Sequence, residues 1–329
     1  MEENIIISSR VRLARNVEGQ LFPNKISKDK ALEIMSDIFN SLGDDFTCLK
    51  TSEISHDDQE AYIEKHLISK DLINNSKFSG VALSEDRSVS IMVNEEDHLR
   101  LQCIMRGLNV SKAYDIINDI DTELSGKINY VFDKKLGYIT ACPGNLGTGM
   151  RASVMMFLPA LTMTNNIPQV ANSVSKLGLC IRGAYGEGSD AMGDLYQISN
   201  QYTLGKSEAE IIQIVESTVL KIVDLEKEAR GRLMELKGDE IRDNAMRAYG
   251  ILTNCYKLSS RECLNYIATL KLGLGVKALK LKDETVLNQL FDEIMPASLN
   301  KLAGKKLKED DRDKFRAQYV NTKLKDTRI

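Results

Sequence analysis

The sequence predicts an α+β protein, an antiparallel sheet flanked by helices, followed by a small all-helical domain. Three observations point there. Strand-like runs follow one another across connections too short for a crossover helix. Amphipathic patterns with a period of about 3.6 residues stand between other runs. After about residue 205 the strand-like texture stops and the remainder reads helical.

The strand-like runs are IIISSRVRL (5–13), FTCLKT (46–51), SVSIMV (88–93), KINYVF (127–132), GYITA (137–141), GLCIRG (178–183) and DLYQIS (194–199). The fourth and fifth, separated only by DKKL, read as an antiparallel pair. A helix is expected over 27–43, with apolar residues at 31, 32, 34, 35, 38, 39 and 42 and Gly43 as its stop. Residues 111–124 repeat that period. Ser207 and Glu210 form a capping box that opens a helix running to Gly238. Helices are then expected over 239–253, 259–273 (behind a second box, Ser259 and Glu262), 283–294 and 308–321. A domain boundary near 235–240 divides the chain into a catalytic-type unit, 1–236, and a helical unit, 237–329.

The 329 residues, 43% apolar, suffice for one large domain or a large and a small one. Acids (47) nearly balance bases (44), and no basic patch with interleaved aromatics appears, which argues against nucleic-acid or membrane binding. The start, MEENIIISSR, is no secretory signal, and the longest apolar stretch, VMMFLPALTM (154–163), is too short to span a bilayer. Six cysteines (48, 103, 142, 180, 255, 263) form no CxxC pair, and three histidines stand at no zinc-ligand spacing. The expectation is a soluble cytoplasmic protein with reduced thiols and no protein-held metal.

Five arginines read as lying in loops or at element ends: Arg10 and Arg12 in SSRVR, Arg100, Arg151 in CPGNLGTGMR, and Arg182 in IRGAYGEG. A single arginine is ordinarily a solvated surface residue; the grouping is what matters. Two adjoin the glycine-rich turns GNLGTG (144–149) and GAYGEG (183–188), where bare backbone approaches an anion closely. Guanidinium forks grip phosphate oxygens bidentately. No GK[ST] follows either turn, so the pattern is a polyphosphate clamp without a P-loop. In VNEEDHLR (93–100) Asn94 reads as a helix cap with Glu95, Glu96 and Asp97 in its first turn. Glu96 and Arg100 would then share one helix face, a carboxylate for a cation beside a guanidinium for a phosphate. Glu187 offers a second carboxylate of that kind, and Cys142 precedes a Pro-Gly turn where nearby cations favour a thiolate.

With SSRVR, VNEEDHLR, CPGNLGTGMR and RGAYGEG in this order, residues 5–205 resemble the phosphagen kinases, the ATP:guanidino phosphotransferase family. The resemblance implies that Arg10, Arg12, Arg100, Arg151 and Arg182 bind the ATP phosphates. It implies that Glu96 and Glu187 hold the acceptor guanidinium, with the reactive Cys142 beside it. ATP and a Mg²⁺ ion held mainly by its phosphates are the expected cofactors. Kinases of free arginine and creatine carry a helical domain ahead of SSRVR, where this sequence has seven residues, and they lack the helical extension. Both departures resemble the bacterial protein arginine kinases of the family, which mark arginine side chains for a Clp-type AAA+ protease. That likeness implies protein substrates, an activator protein, a homodimer and a role in stress response and protein quality control. RDKFRA (312–317) is similar to those kinases' phosphoarginine-sensing element, which implies allosteric roles for Arg312, Asp313 and Arg316. On the helical period alone, the extension equally suits pairing protomers, recruiting a partner or sensing phosphoarginine.

Phosphoryl transfer runs through a loose transition state, so the expected work of the protein is positioning and charge neutralisation. Glu96 is the expected base and Glu187 the residue that fixes the guanidinium plane. The rival readings are a kinase of a small free guanidine and a non-catalytic phosphoarginine-binding adaptor.

Overall fold

The computed structural model describes residues 2–74, 77–183, 191–325 and 327. Its strands are β1 (Ile6–Arg15), β2 (Phe46–Lys50), β3 (Gly80–Ser84), β4 (Val89–Val93), β5 (Leu99–Arg106), β6 (Phe132–Asp133), β7 (Gly137–Tyr138), β8 (Met150–Phe157), β9 (Leu179–Gly183) and β10 (Leu195–Asn200). The helices before residue 200 are α1 (Glu2–Ile5), α2 (Lys28–Ser41), α3 (His56–Glu64), α4 (Lys70–Asn74), α5 (Val110–Ser125), α6 (Pro159–Met163) and α7 (Ile167–Ser175). Beyond it come α8 (Glu208–Asn254), α9 (Ser260–Gly275), α10 (Thr285–Glu293), α11 (Pro296–Leu302) and α12 (Glu309–Leu324).

Eight strands form one sheet in the order β2-β3-β4-β5-β1-β8-β10-β9, every neighbouring pair antiparallel. Side chains alternate between the two faces of a strand. Val11 and Leu13 on β1, Leu101 and Cys103 on β5, and Ala152 and Val154 on β8 therefore share one face, and all are fully buried. That face packs against α5 and α8. On the opposite face, Met92, Val81 and Leu83 make a smaller core with Leu67, Ile68 and Leu72. The segment around α3 and α4 thus covers one wing of that face and leaves its centre, β5, β1 and β8, to polar residues.

The helix over 27–43 is realised as α2, with Ser27 Oγ accepting from the Lys30 N–H, and 111–124 as α5. The capping box at Ser207 and Glu210 is present in both directions. At the second box the structure gives one half: Ser259 accepts from the Glu262 N–H. The helix opened by Ser207 breaks at Lys237, whose dihedrals (φ −141°, ψ 28°) leave the helical region one residue before the expected stop at Gly238, and a second helical stretch follows to Asn254.

Other expectations need correction. No helix starts at Asn94: residues 94–98 are the loop of the β4–β5 hairpin, closed by the Asn94 N–H donating to His98 O at 3.0 Å. Asn94 sits at φ 57°, and its amide donates to Ala31 O and Phe78 O instead of capping a helix. An asparagine followed by acids serves a left-handed hairpin turn as readily as a helix start, since both use its short polar side chain. The pair 127–132 and 137–141 shrinks to the two-residue strands β6 and β7, a ribbon separate from the main sheet. Strands β3, β5 and β8 were not expected. β5 was hidden by the helix reading, and β8 by the apolar run in which it ends.

A buried ion pair ties the sheet to α5: Arg15 Nε and Nη2 donate to Asp121 Oδ2 at 2.9 and 2.7 Å. Arg15 Nη1 donates to Ala14 O and Thr148 O, and the guanidinium lies 3.5 Å from the Tyr138 ring centroid. Removing one partner of a buried pair strands the other charge. Arg15→Met is therefore expected to cost about 3–5 kcal/mol in urea unfolding. Combining it with Asp121→Leu should recover most of that loss; a double variant as unstable as the single would refute the pairing argument.

Candidate active site

The strand register settles where the arginines point. Arg10 and Arg12 alternate along β1, so they share a face. Arg151 on β8 is the direct cross-strand partner of Arg12, and Arg100 on β5 faces Ala14, two residues further along the same side. Arg182 on β9 is opposite Gln197, which is opposite Met155, four residues from Arg151 on β8. All five therefore lie on the polar face of the sheet. Arg100, Arg151 and Arg182 stand near strand ends, within the expectation of loops or element ends, whereas Arg10 and Arg12 occupy the middle of the central strand.

Four of these arginines form an electrostatic cluster. Burial, reinforced by Arg100 and Arg151, lowers the Arg10 pKa to about 10. Burial followed by Arg10, Arg100 and Arg151 pulls Arg12 well below the usual arginine range, with Glu95 opposing. The Arg12 Nε is buried without a hydrogen-bond partner. Crowded cations with an unmet donor are the complement of a polyanion. Arg182 is exposed and stands apart at the β9 end of the face.

Arg12, Arg100 and Arg151 open into a cleft whose other walls are Glu95, Glu96, Asp97, Cys142, Asn145 and Gly149. Glu95 is buried, and Arg100 Nη1 donates to its two oxygens at 2.5 and 2.6 Å, while Ser69 Oγ also donates to it. Glu96, at the hairpin tip, is exposed. Its pKa is raised by partial desolvation, then by Asp97 and Glu95, against the pull of Arg100. Glu96 and Arg100 thus meet in one cleft through a hairpin and not through a helix face.

Asp97 is buried, which raises its pKa, and it accepts from Asn16 Nδ2 at 2.6 Å and from the Ala141 N–H at 2.7 Å. Asn16 also donates to Ile139 O and accepts from the His98 N–H. The Glu96 turn and the loop that delivers Cys142 are thereby bolted to the end of β1. Cys142 is half-buried just ahead of the 3₁₀ turn Pro143–Asn145, and Thr140 Oγ1 donates to its carbonyl. A second cavity continues the arginine face beyond Arg10, lined by Ser8, His66, Ile104, Ser153, Met155 and Gln197.

The structure therefore brings Arg10, Arg12, Arg100, Arg151, Glu96 and Cys142 together, while Glu187 lies outside the described residues. Sequence reasoning assigned Glu95 to a helix dipole; the doublet Glu95-Glu96 was the available signal that one carboxylate grips an arginine while its neighbour faces out. Asn16, Asp97 and His66 carried no such signal. In the C-terminal unit Arg316 is fully buried. It donates to Ile294 O at 2.8 Å, Leu258 O at 2.7 Å and Asp313 Oδ1 at 2.5 Å, tying α12 to the start of α9 and the end of α10. Arg312 is half-buried, and its Nε has no partner. RDKFRA is thus partly interior, not a wholly solvated helix face.

Residues 30–229 match the family model described as ATP:guanido phosphotransferase, C-terminal catalytic domain. Residues 238–328 match the one described as protein-arginine kinase McsB C-terminal domain. The chain is 42% identical over 330 residues to a protein-arginine kinase from Clostridium acetobutylicum, covering 98% of this chain and 97% of that one. It is 40% identical over 331 residues to one from Geobacillus thermodenitrificans, with 98% and 91% covered. Among solved structures, lombricine kinase superposes with a TM-score of 0.61 at 27% identity, over 69% of this chain and 67% of that one. The duplicated taurocyamine kinase of Schistosoma mansoni, with transition-state analogue components bound, gives 0.60 at 28% identity over 68% and 33%.

Two imidazoles flank this region, His98 buried and His66 half-buried. Burial, then Arg10 and Arg12, lowers the His66 pKa to about 4, and burial lowers that of His98 to about 4. An unfolded chain titrates its histidines near about 6.5 and so binds more protons between these values. Stability from this source is fully present above pH ~6.5 and is lost as pH falls towards ~4. Urea midpoints measured across that window should drop steeply, and less steeply for His98→Gln; equal slopes would show that His98 is not held neutral by the fold.

Proposed function

Since the chain belongs to the ATP:guanido phosphotransferase family, we propose that it transfers the γ-phosphoryl group of ATP to arginine side chains of proteins, using the cleft between β1, β5, β8 and the Glu96 turn. The observation that carries this reading is the convergence of mutually repelling guanidinium groups and an outward-facing carboxylate in one cleft. Full-length likeness to protein-arginine kinases, including their C-terminal domain, supports protein arginine as the acceptor. A free guanidine remains the rival acceptor.

In this reading Arg10, Arg12, Arg100 and Arg151 hold the triphosphate, and Arg182 approaches from β9. The cavity past Arg10, beside His66, takes the nucleoside end. Glu95 keeps Arg100 extended towards the phosphates by gripping it from behind. A Mg²⁺ ion held mainly by the ATP phosphates and water would supply charge neutralisation on the phosphate oxygens.

The acceptor guanidinium has a pKa above about 12, beyond the reach of a free carboxylate in the ground state. As the N–P bond forms and the bond from γ-phosphorus to the ADP oxygen breaks, the attacking nitrogen becomes acidic, and Glu96 takes its proton. The raised Glu96 pKa makes it a better base at neutral pH. Asp97 and Asn16 hold its turn in place, Cys142 stabilises the cation electrostatically, and Glu187 fixes the guanidinium plane. The unit from 237 onward pairs protomers and senses phosphoarginine near Arg312. Activation by a partner protein and delivery of the marked product to a Clp-type protease in the cytoplasm complete the reading.

Incubation with Mg-ATP and an arginine-rich unfolded protein, beside free arginine, followed by mass spectrometry without acid, should find phosphoarginine in the protein. Product on free arginine alone would select the rival; ATP loss without any phosphoramidate would remove both. Glu96→Gln should lower kcat by about 10²–10⁴ with little change in ATP affinity. In the parent enzyme kcat should fall as pH drops through a Glu96 pKa lying above the ordinary carboxylate range. A Gln variant that retains this acid limb would assign the base elsewhere.

A further inference from the structure

A kinase that modifies an arginine within a polypeptide must also accommodate the chain on either side of it, and the rim of the cleft offers a surface for this. The Cys142 loop ends at Gly147, which is wedged between two segments. On one side Gly147 exchanges backbone hydrogen bonds with Tyr138 of β7, at 2.8 and 3.4 Å. On the other its α-carbon faces Thr203 O and the Leu204 backbone so closely that a Cβ would lie 2.7 and 2.8 Å from Thr203 O and Leu204 Cα. Thr203 Oγ1 donates to Leu146 O and Gly144 O, which locks the loop against that second segment.

Each segment presents large apolar side chains to solvent. From the β6–β7 ribbon, Phe132 is 58% and Leu136 43% exposed; from the other, Tyr202 is 64% and Leu204 49% exposed. Phe132 is held upright by an edge-to-face contact with Tyr138 at 5.1 Å, and Tyr138 is itself stacked under Arg15. Scattered apolar residues are normal on a surface, but here they bracket one loop, and that loop is a wall of the catalytic cleft. Lys134 and Lys135 at the ribbon tip are exposed.

We propose that Phe132, Leu136, Tyr202 and Leu204 form the docking surface for the substrate polypeptide, gripping apolar residues that flank the target arginine. The proposal rests on Glu96 and Cys142 marking the acceptor end of the cleft. The occupant is an extended, unfolded segment, because a folded surface rarely displays apolar side chains around an arginine. At about 3.3 Å per residue, five to seven residues of extended chain span about 20 Å. The exposed lysines favour acidic residues further out on the segment. The rim therefore selects unfolded over folded proteins without a separate recognition domain.

Steady-state kinetics on two peptides tests this, one with its arginine between glycine and serine residues, the other with leucine and phenylalanine at the flanks. The enzyme should favour the apolar-flanked peptide about tenfold in kcat/KM, through KM. Phe132→Ser combined with Leu136→Ser and Leu204→Ser should erase that preference and leave the glycine-serine peptide unchanged, with an unchanged melting temperature. The single variant Phe132→Ser should show part of the same loss if the triple variant melts early. An enzyme with no preference between the peptides overturns the proposal, as does a triple variant that retains it. A changed sedimentation mass with the preference intact also overturns it and assigns the patch to self-association. Failure to phosphorylate either peptide, while a full-length unfolded protein is phosphorylated at arginine, overturns the rim and spares the kinase reading; failure on all three removes both.

Discussion

Everything at the candidate site depends on crowding like charges on one face of a rigid sheet. Arg10 and Arg12 are desolvated and are repelled by Arg100 and Arg151, and a flexible framework would relieve that strain by letting them splay apart. The antiparallel ladder prevents it. β1 is paired along its length to β5 and β8, with Arg12 directly across from Arg151 and Ala14 across from Arg100. The backbone is anchored beneath by the fully buried Val11, Leu13, Leu101 and Ala152. A polyanion bound there, as proposed above, would relieve that repulsion without moving the framework.

The same sheet explains why the carboxylates divide their labour. Glu95 turns inward and is consumed by Arg100 and Ser69, while Glu96, one residue on, faces the cleft. Adjacent residues in a tight hairpin point in different directions, so a doublet of identical side chains performs two different jobs. The β1 end of the molecule serves as a common anchor for this arrangement. Asn16 and Asp97 fasten the carboxylate turn and the cysteine loop there, and Arg15 fastens α5 and Tyr138. The Glu96 turn, the Cys142 loop and the β6–β7 ribbon are thus all tied to the end of β1 at Arg15 and Asn16.

The C-terminal helices are joined to the sheet domain by polar contacts of their own. Glu64 at the end of α3 accepts from the Ala297 and Ser298 N–H groups at the start of α11, and Lys301 pairs with Asp58 at 2.9 Å. Arg316 holds α12 to the ends of α9 and α10. α8 (Glu208–Asn254) kinks at Lys237, where the dihedrals leave the helical region, so the two parts of the chain meet at that break.

Much of this was legible in the residues. The motif arginines, Glu96 and Cys142 were identifiable because they stand in an order tied to one chemistry. The helices α2, α5 and α8 announced themselves through apolar period and caps, which are local properties. Direction was not local. Whether Asn94 caps a helix or turns a hairpin was decided by Ala31 O and Phe78 O, carbonyls far away in sequence that accept its amide. Which glutamate is inward was decided by strand pairing, and the buried place of Arg316 by helix ends that only packing brings together. By itself the sequence determined which chemical groups are available and the repeat of each segment. The tertiary structure decided which groups face each other, because cross-strand register and desolvation arise only once the strands have paired.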